Sequence, residues 1–575
     1  MKKLYRIGLI LAIALNSSAF AQDWDWVTHA GGLFSDRATC VRADSAGYLY
    51  MCGYFNGDAD FDGIPVTGYY DTDKSTFIAK YDTLGNCIWV RQPEIDWVNY
   101  TNYFDDRALG VAIDADGDVY IIGVFWEDIQ LGPFYLVDAF GVSCCDQIYV
   151  AKLDSDGNWL WAHMLGSYAD DQGQDIQVDQ QGNVYITGYY AGTGTYGWSS
   201  AFYYDDGTEI LPITASDADT AMFIAKLDTD GNFLWAEQIG KAYGGGRRND
   251  LVIDQNSHVY CGAGFKGNQT ISGTPIAATG GGLDHDVLVT KHDLDGNFVW
   301  VKTAGGSKDD RANGISSDQA GSIYLTGEFS DSAYFGTHLL DNYKKRDIFA
   351  AKMDTDGNWI WAKKAGSNEG NERGTDIYSD ASRIYISGQV GADATFGSVT
   401  TNSSDSLNAF VARISPDGMW LWALDGGGIS REDRATSVTV GKTNRIYTCG
   451  FFEEVAQFGM HTEISGGNKD IFLARIIDDY TWVVGMEEVS PLASNVYPNP
   501  FTNELNVQLT IAEQAQTKCW LTDVNGRFVA NAFDENLAPG AHKIPVNLQA
   551  FDKGIYLLHI SLNGEHSSAV RVVRM

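Results

Sequence analysis

The sequence predicts an all-β chain: a seven-bladed β-propeller of four-stranded antiparallel blades, followed by a small immunoglobulin-like β-sandwich. Three observations predict it. The phrase "AKLDSDGNWLWAHMLG" at 151–166 returns as "AKLDTDGNFLWAEQIG" at 225–240 and as "AKMDTDGNWIWAKKAG" at 351–366. A tyrosine in phrases such as "GNVYITG" recurs as Tyr50, Tyr120, Tyr185, Tyr260, Tyr324, Tyr385 and Tyr447, at spacings of 70, 65, 75, 64, 61 and 62 residues. After Gly485 this rhythm stops and a different alternation begins. A unit of this size cannot bury both faces of its sheet alone, but a ring of such units can.

Each unit reads as four short strands. The first carries phrases such as "DRALGVAID" (106–114), the second the tyrosine, the third a basic residue and the fourth a tryptophan. The basic positions are Lys80, Lys152, Lys226, Lys291, Lys352, Arg413 and Arg475, and a structural role is expected for them. Turns such as "DQQG" (179–182) and "DTDGN" (228–232) join the strands, with Gly and Asn supplying the left-handed conformation a tight hairpin needs. In the fourth strand aromatics stand two apart, as in Trp159 and Trp161 or Trp420 and Trp422, which puts both on one face. The opening "WDWVTHAGG" (24–32) is a fourth strand without its first three, so it is expected to complete the last blade; the alternative is closure by Trp482. Linking segments at about 126–147 and 191–220 are longer than their counterparts and read as loops.

Residues 1–21 read as a secretory signal peptide: Lys2, Lys3 and Arg6, an apolar run at 7–15, and "AFA" before Gln22. The expected domains are the propeller at 22–485, a linker at 486–496 and the sandwich at 497–575. The formal net charge of −35 argues against nucleic acid as a partner. Eight cysteines in an exported chain permit disulfides, and Cys40 and Cys52 could face each other across a hairpin, with free buried thiols as the alternative.

The repeated phrases, together with "FSDSAYFG" (329–336), "VGADATFG" (390–397) and "FEEVAQFG" (452–459), resemble the bacterial SBBP propeller repeats over roughly residues 23–485. That resemblance bears on fold and is nearly silent on activity. The tail carries "YPNPF", "LTDVNGRFV", "LAPGAHKI", "GIYLLHI" and "VRVVRM". It resembles the type A C-terminal sorting domain of type IX secretion. The resemblance implies a Gram-negative bacterium, export across the outer membrane through that machinery, and either attachment to outer-membrane lipopolysaccharide or release.

Candidate sites follow from the alignment of units. Arg37, Arg107, Arg247, Arg311, Arg373 and Arg434 share one position, with Gln172 in the third unit. They fall where the innermost strand begins, so they are expected to ring one mouth of the central channel. Such a ring could grip carboxylates of an acidic glycan through paired hydrogen bonds. Acids precede five of them, namely Asp36, Asp106, Asp310, Glu372 and Asp433, and the alternative is a set of blade-to-blade ion pairs. Trp126, Trp198 and Tyr203 on the long links are candidates for stacking on sugars. Asp58, Asp60 and Asp62 form the densest carboxylate cluster and are the candidate calcium ligands; no other cofactor is expected. The repeated "DTDGN" lacks the glutamate of a calcium loop at its twelfth position, which is Ile239, and reads as a hairpin turn. No nucleophile with its base and no zinc spacing is found, so no catalytic residue is assigned. The expected function is a non-enzymatic, exported or surface-attached module binding glycan or protein. The alternatives are a polysaccharide hydrolase or lyase, whose paired acids would stand about 5–9 Å apart, and a structural or adhesion protein of the envelope.

Overall fold

The computed structural model describes residues 22–478 and 495–574, apart from 95–104, 138–144, 192–201, 205–208, 212–219, 242–247, 524–527, 548–552 and stretches of one to five residues elsewhere. The stretch read as a signal peptide (1–21), Arg247, Trp198 and Trp482 lie outside the described residues. Two compact units divide the chain, Met1–Tyr480 and Thr481–Met575.

The first unit is built of antiparallel four-strand meanders. One runs Arg37–Ala43, Leu49–Asn56, Lys74–Tyr81 and Cys87–Arg91, each strand hydrogen-bonded to the next. The same order recurs with first strands Arg107–Ile113, Gln172–Val178, Asp250–Ile253, Arg311–Ser317, Arg373–Ser379 and Arg434–Val440. The last meander takes its fourth strand from the amino terminus: Asp23–Gly32 pairs with Asp470–Ile477 in the register Val27↔Ala474.

One contact joins each sheet to the following one. In six of the seven sheets the third-strand cation and the fourth-strand indole reach the same turn in the next sheet; in the other, Trp161 reaches the Thr229 carbonyl while Lys152 turns to Asp114 and Asp118 of its own sheet. Lys226 Nζ and Trp235 Nε1 both donate to the Leu294 carbonyl at 3.1 Å. Lys291 and Trp300 share the Thr355 carbonyl at 3.0 and 3.2 Å, and Lys352 and Trp361 that of Pro416 at 3.5 and 2.9 Å. Arg413 and Trp422 take the two carboxylate oxygens of Asp478 at 2.6 and 3.2 Å. The last set returns to the first sheet: Arg475 and Trp26 donate to the Thr83 carbonyl at 2.5 and 3.3 Å. The contact that links neighbours thus also closes the circle. The cation lies over the repeated tyrosine as well, 5.0 Å from its centroid for Lys226 on Tyr185 and Lys352 on Tyr324.

The sequence reading of four strands per unit omits an element. Between second and third strands lies an added hairpin, as in Asp58–Phe61 with Ile64–Thr67. Its first strand pairs with the end of the preceding sheet's fourth strand, Gly31↔Asp60 here and Ala365↔Phe396 elsewhere. The long links are therefore not plain loops. Residues 126–147 contain the hairpin Asp128–Leu131 with Phe134–Val137, and 191–220 contain Phe202–Tyr204 with Glu209–Leu211, clasped to Leu165 and Gly166.

The second unit has two antiparallel sheets. Asn495–Tyr497, Glu504–Ile511 and Gly540–Asn547 form one; Phe528–Leu537, Ala515–Asp523, Gly554–Leu562 and Glu565–Arg574 form the other. Leu505, Val507 and Ile544 of the first pack with Leu521, Leu558 and Ile560 of the second in one core.

Cys40 and Cys52 are cross-strand partners, and both are free and buried; among the described residues no disulfide forms. Burial pushes both thiols above their usual range.

Candidate functional site

Six of the seven first strands, all but Asp250–Ile253, share a β-bulge near their start, where two residues oppose one: Ala38/Cys40, Ala108/Gly110, Gly173/Asp175, Ala312/Gly314, Gly374/Asp376 and Ala435/Ser437. The bulged residues Thr39, Leu109, Gln174, Asn313, Thr375 and Thr436 converge on a central space of only about 30 Å³. That is room for about one water. Arg248 fills the rest. Its guanidinium donates to the carbonyls of Thr375, Thr436 and Thr39 at 2.9, 3.0 and 3.1 Å. Beside it the Asp376 carboxylate accepts from Ser437 Oγ at 2.6 Å and faces Arg42 at 3.3 Å.

The predicted arginine position lies two residues before the bulge. The acids that precede the arginines do not pair with them. Asp36 accepts the backbone N–H of Gly32 and Asn56 at 2.7 and 2.9 Å, and Asp310 accepts those of Gly306 and Ser330 at 2.6 and 3.0 Å. Asp171, Glu372 and Asp433 make the same bridge. Each ties the preceding sheet's last strand to its own second strand, a scaffold role that the order of residues had disguised.

The arginines find other partners, and two arcs differ. Around Arg107 charge is balanced: its Nε and Nη2 meet Asp105 and Asp146 at 3.1 and 2.8 Å, Lys74 takes Asp105 at 2.8 Å, and Gln172 takes Asp146 at 3.2 Å. From Arg311 to Arg37 cations outnumber acids, although Asp309 meets Arg311 at 3.1 Å and Glu453 meets Lys469 at 2.9 Å beside the two carboxylates that follow. The Glu328 carboxylate, 3% exposed, serves Arg346 at 3.0 Å, Arg311 at 3.4 Å and Arg373 at 3.6 Å. Arg434 pairs with Glu432, which Lys469 shares at 3.0 Å. Arg37, Lys469 and Arg434 crowd over one ring, Phe451, at 4.5, 4.6 and 5.5 Å from its centroid. The Nε atoms of Arg37 and Arg373 are buried without a hydrogen-bond partner. Burial, then the neighbouring charges of Arg373, Arg37 and Arg248 against that of Glu432, lowers the Arg434 pKa to about 10. An anion seated here would relieve that repulsion.

Of the other predicted residues, Trp126 stands beside this ring, cross-strand from the Asp146 that Arg107 takes. Trp126 ends its strand half-buried, its backbone N–H bonded to Asp106 at 3.1 Å. Tyr203 pairs with Gly166 in the clasped hairpin. Asp58 and Asp60 project from the first strand of an added hairpin, and Asp62 sits in its turn at φ 55°. Asp60 accepts the Gly63 N–H at 2.7 Å, and no grouping of metal-ligating side chains occurs among the described residues. In the "DSDGN" and "DTDGN" turns one oxygen of the leading Asp accepts two backbone N–H groups, as Asp154 does from Asp156 and Asn158 at 3.0 and 2.8 Å. Sequence reasoning missed Arg248, Glu328, Phe451 and Lys469. A basic pair at 247–248 just before a first strand was the available signal for the first of these.

Comparison with known proteins bears on both units. Residues 160–189 match the family described as beta-propeller repeat, and residues 495–574 match the secretion system C-terminal sorting domain. The chain carries a propeller repeat and a sorting tail. The matched repeat runs from one sheet's fourth strand through the next sheet's first two, so the sequence unit straddles two sheets. The sorting domain points to handling by type IX secretion and to a cell-surface or extracellular location. An uncharacterized WD repeat-containing protein of Acanthamoeba polyphaga mimivirus is 22% identical over 75% of this chain, which spans about a third (36%) of that protein's length. Among solved structures, a protein of unknown function from Dyadobacter fermentans matches at 10% identity and TM-score 0.33, covering 69% of this chain and 97% of that one. A Hadza microbial sialidase matches at 12% identity and TM-score 0.34 over 61% and 63%. YCF48 bound to D1 peptide matches at 10% identity and TM-score 0.36 over 81% and 100%. No helix of the described residues is long and apolar enough to cross a membrane.

Proposed function

We propose that the chain is an exported seven-bladed β-propeller, attached to the cell surface through lipopolysaccharide or released, that acts as a non-enzymatic binding module. Its ligand is an anionic glycan, whose carboxylates enter the arginine mouth between Arg373, Arg434 and Arg37. The excess of guanidinium over carboxylate on that arc, in a chain of net charge −35, carries the reading. Paired Arg–carboxylate hydrogen bonds give such a site both strength and orientation. Titration of the full chain with uronate-bearing oligosaccharides and their neutral analogues tests it. The acidic sugars should bind, and Arg37→Ala with Arg434→Ala should weaken them about tenfold or more. Equal binding of neutral and acidic sugars would remove the arginines from the site. New sugar ends after incubation would replace the binding role with hydrolase or lyase activity.

A further inference from the structure

A second site lies apart from the arginine mouth, where the amino-terminal strand meets the first added hairpin. A cleft of about 1590 Å³ opens there, walled by parts of 28–34, 57–73 and 464–470. That exceeds the roughly 300–1,000 Å³ of ordinary small-molecule pockets. Its charged lining is one-sided. Asp58, Asp60, Asp62, Asp71, Asp73 and Asp470 face it, and no lysine or arginine does among the described residues. The one basic lining side chain, His29, is already engaged by Glu463 at 2.6 Å.

Asp470, at one wall of the cleft, is 2% exposed. Its Oδ2 accepts the Gly466 N–H at 2.9 Å, while its Oδ1 is buried with no partner. A second carboxyl, that of Asp36, approaches from behind Gly31. A Cβ on Gly31 would lie 2.8 Å from both the Asp36 Oδ2 and the Asp470 Cγ. Burial, with a further contribution from Asp470, raises the Asp36 pKa to about 7, and burial raises that of Asp470. This wall therefore offers an unsatisfied acceptor, and the one basic side chain near it, His29, is shared with Glu463.

Apolar and aromatic groups flank the acids. Leu33, Ile464 and Tyr70 line the cleft at 74%, 64% and 49% exposure. Methylene stems lie well along such surfaces, ammonium and guanidinium groups sit well over tyrosine faces, and their N–H groups suit the carboxylates of the lining, which when ionised only accept. Calcium would instead need six to eight oxygens around one point. These acids are strung along a hairpin and its approaches rather than gathered. We propose that the cleft docks a lysine- or arginine-bearing segment of a partner protein, with one cationic side chain reaching Asp470. The volume fits an extended peptide rather than a lone amine, and the partner is defined by that charge.

Tetralysine is the probe, titrated into the full chain at 0.15 M salt beside its fully side-chain-acetylated form and calcium chloride. Tetralysine should bind at one site, and the acetylated peptide should not. Asp58→Asn with Asp71→Asn should weaken binding about fivefold or more. Asp470→Asn should do the same if it folds, and the exposed pair keeps the test decisive if it does not. Asp116→Asn with Asp295→Asn removes the same charge from exposed turns elsewhere and should change binding little. Equal weakening in that control would make the attraction a general property of an acidic surface and overturn the proposal. So would absence of binding, or one-for-one displacement of the peptide by equimolar calcium.

Discussion

Asp36 and Arg37 stand side by side in the sequence, and acids in step with the arginines suggested ion pairs from blade to blade. Successive side chains of a strand point to opposite faces, so neighbours are the pair least able to meet. Asp36 turns to backbone N–H groups and Arg37 to Phe451. The position of the arginines was legible from their distance to the repeated tyrosine. Their partners were not, because Glu328, Glu432 and Lys469 come from other strands and loops. Another buried group carries a pH consequence. His292 is 1% exposed; its Nδ1 lies 3.4 Å from the Gly296 carbonyl, and its Nε2 has no partner. Burial lowers its pKa to about 4, so the folded chain refuses a proton that the unfolded chain accepts below about 6.5. Stability present above that value is lost as pH falls toward about 4. Replacing His292 with Phe should flatten the fall in denaturant-derived stability between pH 7 and 5, by at most about 1.4 kcal/mol per pH unit. An unchanged slope would mean that the histidine is protonated in the folded state.

The fourth strand was the most legible element. Tryptophans two apart state its buried face, and the turn before it spells its own geometry in Asp, Gly and Asn. Added hairpins were harder to see. Their strands hold two to four residues, too few for alternation to rise above chance; some are fixed by pairing to the previous sheet, and three stand as two-stranded sheets of their own. The bulge that aims Thr39 or Thr375 inward leaves no sequence mark at all, since the residues there are Thr, Leu, Gln and Asn. Among the links between sheets, the indole N–H is the simplest to test. Trp361→Phe removes the 2.9 Å bond to the Pro416 carbonyl while keeping an aromatic ring near Tyr324. It should cost about 1–2 kcal/mol in chemical denaturation, with the binding mouth intact. A neutral effect would assign the joint to Lys352 alone.

At the scale of the molecule, the first and last strands of the ring are neighbours in one sheet. Deleting Asp23–Gly32 would bare the edge of Asp470–Ile477 and remove Trp26 from the joint to Thr83. An open strand edge invites pairing between chains. The truncated chain should self-associate in light scattering and lose its single sharp melting step. Retention of both would place closure elsewhere. This arrangement was foreseeable because an orphan fourth strand, Trp24–Gly32, precedes the first complete unit. The seam cleft was not, since its three walls lie more than 400 residues apart at their extremes. Arg248 has a consequence for the mouth it underlies. By spanning carbonyls of three sheets it turns a would-be tunnel into a shallow cup with a solid floor. A long polymer therefore has no route from one side of the disc to the other. It can be held by a terminus or a bend laid across the rim, and the molecule can seize a strand without ever being threaded by it.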